Sequence, residues 1–546
     1  MDNLQMAQLL FPNVDKTPEY YEELYPKRNL PNGAKVTRLG PSPTGFIHLG
    51  NLFGAITDER LAHQSGGVFY LRIEDTDNKR EVEGAVDVVI NTLRYFGVEF
   101  DEGAESVGEK GSYGPYRQRE RAEIYQTFAK ELVKRGLAYP CFCTEEELSA
   151  MREKQMQLKE NFGYYGKWAV HRNISFEEAK KNIDEGKPFV LRFRAPEPCG
   201  KTFTIEDGIR GKLTMPINDQ DIVLLKSDGI PTYHFAHVID DHLMRTTHVV
   251  RGEEWLATLP IHVQLFETMG WELPVYCHTA QLMKIDNGTK RKLSKRKDPE
   301  LSLDYYKNEG YVPGAVREYL MTVLNSNFEE WRLANPDSPM DEFAFTTEKM
   351  GVSGSLFDID KLNDVSKNYL ARLGAKTVFN ALIAWAKECD RDYYDLLMRD
   401  EDFTLGMIAI GRGGEKPRKD ISHWRQSKEF YSFFFDELFR REDEFPSNVS
   451  DEDRKLILER YLESYNHNDD QSTWFGKIRA LGEELGYAPQ PKLYRKNPES
   501  YKGHVGDVSG VIRVAITGRQ NSPDIWCIQQ VLGESRTIAR IKAAME

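Results

Sequence analysis

The fold is decided by the stretch Lys35-Val-Thr-Arg-Leu-Gly-Pro-Ser-Pro-Thr-Gly-Phe-Ile-His-Leu-Gly50. It begins as a short strand pattern, which the loop Gly40-Pro-Ser-Pro-Thr-Gly45 ends, because proline and glycine interrupt regular structure. An apolar stripe at helical spacing follows and stops at Gly66-Gly67. The apolar run Val68-Phe-Tyr-Leu-Arg-Ile73 then predicts a buried strand. A strand, a helix and a strand within about 40 residues predict a βαβ unit and therefore a parallel sheet.

The loop that opens the predicted helix suits a phosphate. The first N–H groups of a helix have no partners within the helix and point towards whatever lies before it. Gly50 allows a close approach of the backbone, and His48 can donate to a phosphate oxygen whose charge grows in a transition state. Taken alone, a His-x-Gly triplet is more typical of a helix-capping loop with a surface histidine.

A second cationic segment lies about 240 residues further along the chain, at Lys290-Arg-Lys-Leu-Ser-Lys-Arg-Lys297. Most runs of charge are solvated faces. Lys292 and Lys295, however, are three positions apart, and on a loop they can close over a triphosphate and neutralise departing pyrophosphate.

The composition fits a large protein of several packed domains. Its 546 residues correspond to about three or four domains, and 40% hydrophobic residues suffice for their cores. The sequence shows no apolar stretch of membrane-spanning length, no signal-peptide pattern at its acidic start and no disulfide framework among its six cysteines. We therefore expect a cytoplasmic protein without membrane contact. A net charge of −13 argues against non-specific coating of nucleic acid but permits local basic patches that bind RNA.

The two phosphate-binding segments, in this order and at this spacing, resemble the paired signatures of class I aminoacyl-tRNA synthetases, usually written HIGH and KMSKS. Here they stand as His48-Leu-Gly-Asn51 and Lys292-Leu-Ser-Lys-Arg296. Other stretches are similar to the glutamyl and glutaminyl branch, and some to its bacterial glutamyl form: 38–50, 71–77, 114–121 (with Arg119 where the family usually has Ser), 231–244, 250–255 and 508–518.

The resemblance implies an α/β fold, with a Rossmann-type parallel-sheet catalytic domain, an inserted α/β domain for the tRNA acceptor end and mainly α-helical anticodon-binding domains. The expected segments are an N-terminal extension at 1–34, catalytic halves at 35–111 and 231–266, the insertion at 112–230, a stem-contact region with the KLSKR loop at 267–368 and a helical anticodon-binding region at 369–546.

The implied activity is ATP-dependent attachment of L-glutamate to tRNA(Glu) through a glutamyl-adenylate, with Mg²⁺ shared by the phosphate oxygens, in a monomer. His48, Lys292 and Lys295 would stabilise phosphate charge, and no covalent enzyme intermediate is needed. The residues expected at ATP are Pro43, Thr44, His48, Gly50, Asn51, Trp255, Lys292, Ser294, Lys295 and Arg296.

Glutamate carries two carboxylates and one ammonium, so a selective site needs both cations and an anion. Arginine suits a planar carboxylate, and Arg38 and Arg251 follow predicted strands, where ligands bind in an open α/β sheet. The resemblance assigns the side-chain carboxylate and the amino group to Arg38, Ser42, Glu74, Tyr233, His237 and Arg251. Of these, Arg38, Tyr233 and Arg251 would bind the side-chain carboxylate, and Ser42 and Glu74 would bind the amino group.

Arg251 carries most of the expected preference for glutamate over glutamine, because a buried guanidinium that faces a neutral amide lacks its counter-charge. Its plain alternative is a surface ion pair with Glu253 or Glu254. His237 stands where bacterial glutamyl enzymes often have Asn and the glutaminyl branch favours His. Three alternatives stay open: a glutaminyl ligase, a ligase that charges both tRNAs, and a non-catalytic tRNA-binding regulator.

Cys141-Phe-Cys143 invites a zinc interpretation, since many bacterial relatives pair a Cys-x-Cys with a later Cys-x-His. Trp168 and Val170 occupy those later positions, and His171 is one place off. A structural zinc site normally has four ligands, so we expect no zinc here.

The helical C-terminal part offers basic residues in a Gly-rich stretch, Arg412, Arg418 and Lys419. We expect Arg412 and Arg418 to contact the anticodon; the alternative is a solvated loop.

Overall fold

The computed structural model describes residues 3–43, 47–77, 82–196 and 200–546. The chain forms two compact units. The first contains the chain up to Tyr305 together with Arg317–Asp358, and the second contains Tyr306–Val316 together with Ile359–Glu546.

The N-terminal arm of the first unit contains two helices, α1 (Asn3–Leu10) and α2 (Pro18–Leu24), where the sequence showed no clear period. Arg28 holds the arm to the catalytic sheet by donating to both oxygens of Glu102 at 2.7 and 3.0 Å. The arm is therefore an ordered part of this unit.

The predicted βαβ unit is confirmed. It consists of β1 (Val36–Leu39), α3 (Leu49–Gln64) and β2 (Val68–Leu71), and the two strands are parallel. The sheet continues after α4 (Ala85–Tyr95) with the parallel strand β3 (Glu102–Ala104) and the antiparallel strand β4 (Glu109–Lys110).

The middle segment carries α5 (Ala122–Lys134), β5 (Ala138–Cys141), α6 (Glu145–Gln157), α7 (Phe176–Asp184), β6 (Val190–Phe193), β7 (Thr202–Asp207), β8 (Gly211–Pro216) and β9 (Val223–Leu225). Strands β5, β6 and β9 form an antiparallel sheet, and β7 and β8 form a hairpin. Helix α6 begins with a capping box, in which Thr144 Oγ1 accepts from Glu147 N at 3.2 Å and Glu147 Oε2 accepts from Thr144 N at 2.9 Å.

The chain then returns to the parallel sheet with α8 (Tyr233–Leu243), β10 (His248–Gly252), α9 (Leu259–Met269) and β11 (Val275–Thr279). Strands β10 and β11 are parallel, and Thr247 N donates to Val36 O at 3.0 Å, which places β10 beside β1. The carboxyl ends of β1, β2 and β10 therefore meet at one edge.

The chain next completes the first unit, except for Tyr306–Val316, which belongs to the second unit. The next elements are β12 (Leu282–Asp286), β13 (Thr289–Lys292), α10 (Leu303–Glu309), α11 (Pro313–Leu324), α12 (Phe328–Ala334) and β14 (Ser355–Leu356). Asn287 and Gly288 form the β12–β13 turn with positive φ values of 48° and 79°, as a type I′ hairpin requires.

The second unit is helical. Its elements are α13 (Ile359–Arg372), α14 (Ala375–Cys389), α15 (Arg391–Leu397), α16 (Glu401–Ala409), α17 (Trp424–Phe430), α18 (Asp451–Ser464), α19 (Gln471–Glu484), α20 (Pro491–Lys496), α21 (Val505–Thr517), α22 (Ile525–Leu532) and α23 (Glu534–Met545). Apolar faces of these helices form one core that includes Leu382, Phe434 and Ile512. None of the helices in the described part of the chain has the length and apolar character that crossing a membrane requires.

Candidate active site

A cleft of about 1150 Å³ opens at the carboxyl ends of the parallel strands. Its walls include most of the residues predicted to bind ATP and glutamate: Arg38, Ser42, Pro43, His48, Gly50, Asn51, Glu74, Tyr233, Arg251, Trp255 and Lys292. Thr44 lies outside the described residues. His237, Ser294, Lys295 and Arg296 do not line the cleft itself.

The first turn of α3 carries the phosphate end of the cleft. His48 is the N-cap residue, and its N–H donates to Asn51 Oδ1 at 3.1 Å. A Cβ at Gly50 would lie 3.0 Å from two atoms of the His48 ring, so glycine gives the imidazole its room. Burial lowers the pKa of His48; the charge of Glu254 opposes this shift, and the charges of Lys292 and Lys295 add to it. His48 is therefore neutral and can act as a hydrogen-bond donor to phosphate.

Asp298, which was not predicted from the sequence, anchors the KLSKR loop through hydrogen bonds. This buried carboxylate accepts from Arg291 at 2.6 and 2.8 Å and from Ser294 N at 2.8 Å. Lys295 and Arg296 are exposed on the loop. The anchor fixes the backbone while the cationic side chains stay accessible to a phosphate ligand.

Buried ion pairs underlie the amino-acid end of the cleft. Arg38 donates from Nε to both oxygens of Asp241 at 3.2 Å, and Arg72 donates to Asp241 at 2.6 Å and to Glu74 at 2.9 Å. Arg38 and Arg72 therefore share the carboxylate of Asp241, Arg38 lines the cleft, and its role at the glutamate side chain stays a prediction. Glu74 is packed against Gly40, where an added Cβ would come within 2.3 Å of its Oε1.

Arg251 is different, because its charge has no acidic partner among the described residues. Its Nε donates to His278 Nε2 at 3.0 Å, and its Nη1 lies 3.0 Å from His262 Nδ1. Its Nη2 is buried without a hydrogen-bond partner in the described part of the chain. The alternative ion pair with Glu253 is not formed, since Glu253 binds Arg210 instead. A buried cation without a counter-charge invites an anionic ligand.

Tyr233 forms the wall between these groups. Its ring lies 4.4 Å from that of Trp255 and is stacked at 5.7 Å on His237. His237 is fully buried, with Nδ1 2.9 Å from Asp241 Oδ2, and burial lowers its pKa to about 3. His237 thus packs against Tyr233, and its role in binding glutamate stays a prediction.

Comparison with known proteins identifies the family of the chain. Residues 35–364 match the family described as tRNA synthetases class I (E and Q), catalytic domain, and residues 499–545 match an anticodon binding domain. The chain belongs to the class I tRNA synthetases.

Relatives and solved structures of this synthetase extend over nearly its whole length. It is 61% identical to a glutamate–tRNA ligase of Acetivibrio thermocellus, over 99% of this chain and 100% of the relative. It is 51% identical to a glutamate–tRNA ligase of Clostridium perfringens strain 13, over 98% and 99%. The crystal structure of the glutamate–tRNA synthetase from Elizabethkingia anophelis superposes with a TM-score of 0.75 at 28% identity, over 94% of this chain and 99% of that one. The family resemblance and the fold class drawn from the sequence are confirmed.

One further residue of the synthetase's cleft has no counterpart in the sequence predictions. Asp58 lies on α3, lines the cleft and is 1% exposed. Burial raises the pKa of Asp58 well above its ordinary value of 3.8, although the charge of Arg38 opposes that rise. The folded protein therefore holds this proton more tightly than the unfolded chain does.

We expect the stability cost of Asp58 to grow with pH. It is absent below the ordinary pKa and increases as the pH rises, by up to about 1.4 kcal/mol per pH unit, until the folded-state pKa is passed. Asp58→Asn does not titrate, so the melting temperature of the variant minus that of the wild type should increase as the pH rises from below 3.8, the ordinary pKa of the carboxyl group, to neutral pH. A constant difference in melting temperature across this range would contradict the buried, protonated carboxyl.

The thiols of Cys141 and Cys143, in the middle segment, lie beside His171. Cys143 Sγ lies 3.3 Å from His171 Nδ1, and the ligand atoms of Cys141, Cys143 and His171 all lie within 4.8 Å of one another. No fourth Cys, His, Asp or Glu joins this group within the described ranges. Three ligands fall short of the usual four of structural zinc. The expectation that no zinc binds here stays a prediction.

The two arginines expected at the anticodon have partners inside the second unit. Arg412 donates to Leu370 O at 2.7 Å, and Arg418 donates twice to Asp420 at 2.7 Å. An anticodon base would compete with these contacts, and the anticodon role of both residues stays a prediction.

Proposed function

We propose that this synthetase attaches L-glutamate to tRNA(Glu), using ATP and passing through a glutamyl-adenylate. The observation that carries the proposal is the buried Arg251 guanidinium, whose remaining N–H groups have no acidic partner in the part of the chain that is described. The glutamate side-chain carboxylate supplies the missing charge and can accept hydrogen bonds from the guanidinium. Glutamine would bring a neutral amide to the same place.

The reaction begins when the α-carboxylate of glutamate attacks the α-phosphorus of ATP and releases pyrophosphate. Glu74 and Ser42 hold the amino group. Arg251, Tyr233 and Arg38 hold the side-chain carboxylate. His48 donates to the phosphate oxygens, and Lys292 and Lys295 balance the charge of the leaving pyrophosphate.

In the second half of the reaction, the terminal ribose hydroxyl of tRNA attacks the activated carbonyl and AMP leaves. Mg²⁺ would enter with the ATP substrate, bound by its phosphate oxygens, and would help to neutralise their charge. ATP, glutamate and tRNA(Glu) are thus the substrates.

The domain roles follow the same proposal. Residues 112–230 hold the acceptor end, residues 267–368 contact the stem and carry the KLSKR loop, and residues 369–546 read the anticodon. The match of residues 499–545 to an anticodon binding domain supports the last assignment.

Aminoacylation of purified tRNA(Glu) and tRNA(Gln), each with glutamate and with glutamine, tests the proposal. We expect charging of tRNA(Glu) with glutamate. Charging with glutamine would identify a glutaminyl ligase, and glutamate on both tRNAs would identify a non-discriminating enzyme. Absence of tRNA-dependent pyrophosphate exchange into ATP would identify a non-catalytic tRNA-binding regulator.

A further inference from the structure

The orientation of Arg251 depends on two histidine rings that must each present a lone pair. A guanidinium has donors only, so a ring nitrogen that faces it must carry no proton. His278 Nε2 and His262 Nδ1 are the nitrogens in question, each 3.0 Å from Arg251. The tautomer of each ring is therefore decided by the partner of its other nitrogen.

Asp207 decides the tautomer of His278. Its Oδ2 lies 2.5 Å from His278 Nδ1, and its Oδ1 accepts from the backbone N–H groups of Ile209 at 3.0 Å and Arg210 at 2.9 Å. Asp207 is 2% exposed and His278 is fully buried. The carboxylate only accepts, so the His278 proton sits on Nδ1 and leaves Nε2 for Arg251.

The carboxylate is brought to the sheet by the hairpin β7–β8 of the middle segment. The next residue, Gly208, donates from its N–H to Tyr276 O on β11 at 2.7 Å. A Cβ at Gly208 would lie 2.7 Å from Cys277 Sγ, so only glycine permits this close approach. The tip of the hairpin is thus docked on the strand that carries His278.

We propose that Asp207 is a positioning residue for glutamate recognition: through His278 it holds Arg251 in the orientation that offers its remaining N–H groups to the side-chain carboxylate. This inference rests on the proposed function, in which glutamate is the amino acid. Asp207, His278 and Arg251 would thus connect the β7–β8 hairpin to the substrate.

Asp207→Asn is the sharpest test, because it changes the tautomer with little change of shape. The Asn oxygen is needed by the backbone N–H groups of Ile209 and Arg210, with that of His278 at 3.3 Å as a third, so its NH₂ group must face His278 Nδ1. The ring then carries its proton on Nε2, and two donors oppose each other at Arg251. We expect the KM for glutamate to rise by about tenfold to a hundredfold and the KM for ATP to change by less than about threefold.

Asp101→Asn is the matched control. Asp101 also accepts from a histidine, His63 at 3.0 Å, and from a backbone N–H, that of Phe69 at 2.7 Å, and neither Asp101 nor His63 lines the cleft. The same change in charge and shape should leave the KM for glutamate within about threefold of the wild type.

Two His278 variants keep the proposal testable if Asp207→Asn fails to fold. His278→Gln still offers an acceptor to Arg251 and needs no tautomer, whereas His278→Leu offers none. We expect the KM for glutamate to rise at least about tenfold in the Leu variant and much less in the Gln variant. Adding Asp207→Asn to His278→Gln should have little further effect on it.

Equal rises in the KM for glutamate and ATP, or equal effects of His278→Gln and His278→Leu, would overturn the positioning role. The wild type in the same assay tests the proposed function separately. If the wild type does not charge glutamate, that function fails; normal wild-type charging with an unaltered KM in Asp207→Asn overturns the role of Asp207 alone.

Discussion

Arg251→Gln should raise the KM for glutamate by at least about thirtyfold, because removing one partner of a buried charge pair costs ~2–5 kcal/mol. The reason lies in the surroundings of the guanidinium. Its described protein partners are His278 and His262, which accept hydrogen bonds but carry no negative charge. The substrate carboxylate is then the counter-charge, and a glutamine side chain at position 251 cannot replace the guanidinium. Steady-state aminoacylation with glutamate and ATP varied in turn measures the effect.

Arg317→Gln is the matched control for this prediction. Arg317 is 8% exposed, the same fraction as Arg251, but its guanidinium donates to Gly97 O at 2.6 Å and pairs with Glu59 at 2.5 Å. Losing a buried ion pair should lower the melting temperature without a selective effect on glutamate. If both variants raise the KM for glutamate equally, Arg251 acts through stability and the proposed recognition fails.

The sequence predicted the regular elements of the catalytic sheet because their patterns are strong and local. Residues 68–73 were expected as a strand, and β2 runs from Val68 to Leu71. The stripe after Gly50 predicted a helix, and α3 extends from Leu49 to Gln64. The helices of the N-terminal arm were not predicted, since each is at most eight residues long and has no clear period.

Only part of the site could be predicted from the sequence in the same way. Motif residues such as His48 and Lys292 were predicted because the residues that define each motif are neighbours in the sequence. Asp241 and Asp207 were missed because their partners are remote, 203 residues away for Arg38 and 71 for His278. Such pairs leave no local pattern, so the carboxylates behind Arg38 and His278 could not be predicted from the motifs.

Lys295→Ala should lower kcat by about a hundredfold or more, because a preorganised charge beside the reacting phosphates often contributes that much. Its loop is anchored by Asp298 through Ser294 N at 2.8 Å, so the exposed ammonium stays close to the phosphate end of the cleft. Pyrophosphate gains charge as it leaves, and a cation that meets it there acts mainly on the transition state. The KM for glutamate should therefore change little, which separates this variant from Arg251→Gln.

Lys297→Ala removes the same charge two positions further along the loop. Lys297 is also exposed, so both variants lower the local positive potential by one unit. Pyrophosphate exchange and single-turnover aminoacylation would compare them. A selective loss of kcat in Lys295→Ala means that the position of the charge matters. Equal losses of kcat in the two variants would mean that only the overall positive potential of the loop matters. An unchanged kcat in Lys295→Ala would remove Lys295 from the mechanism.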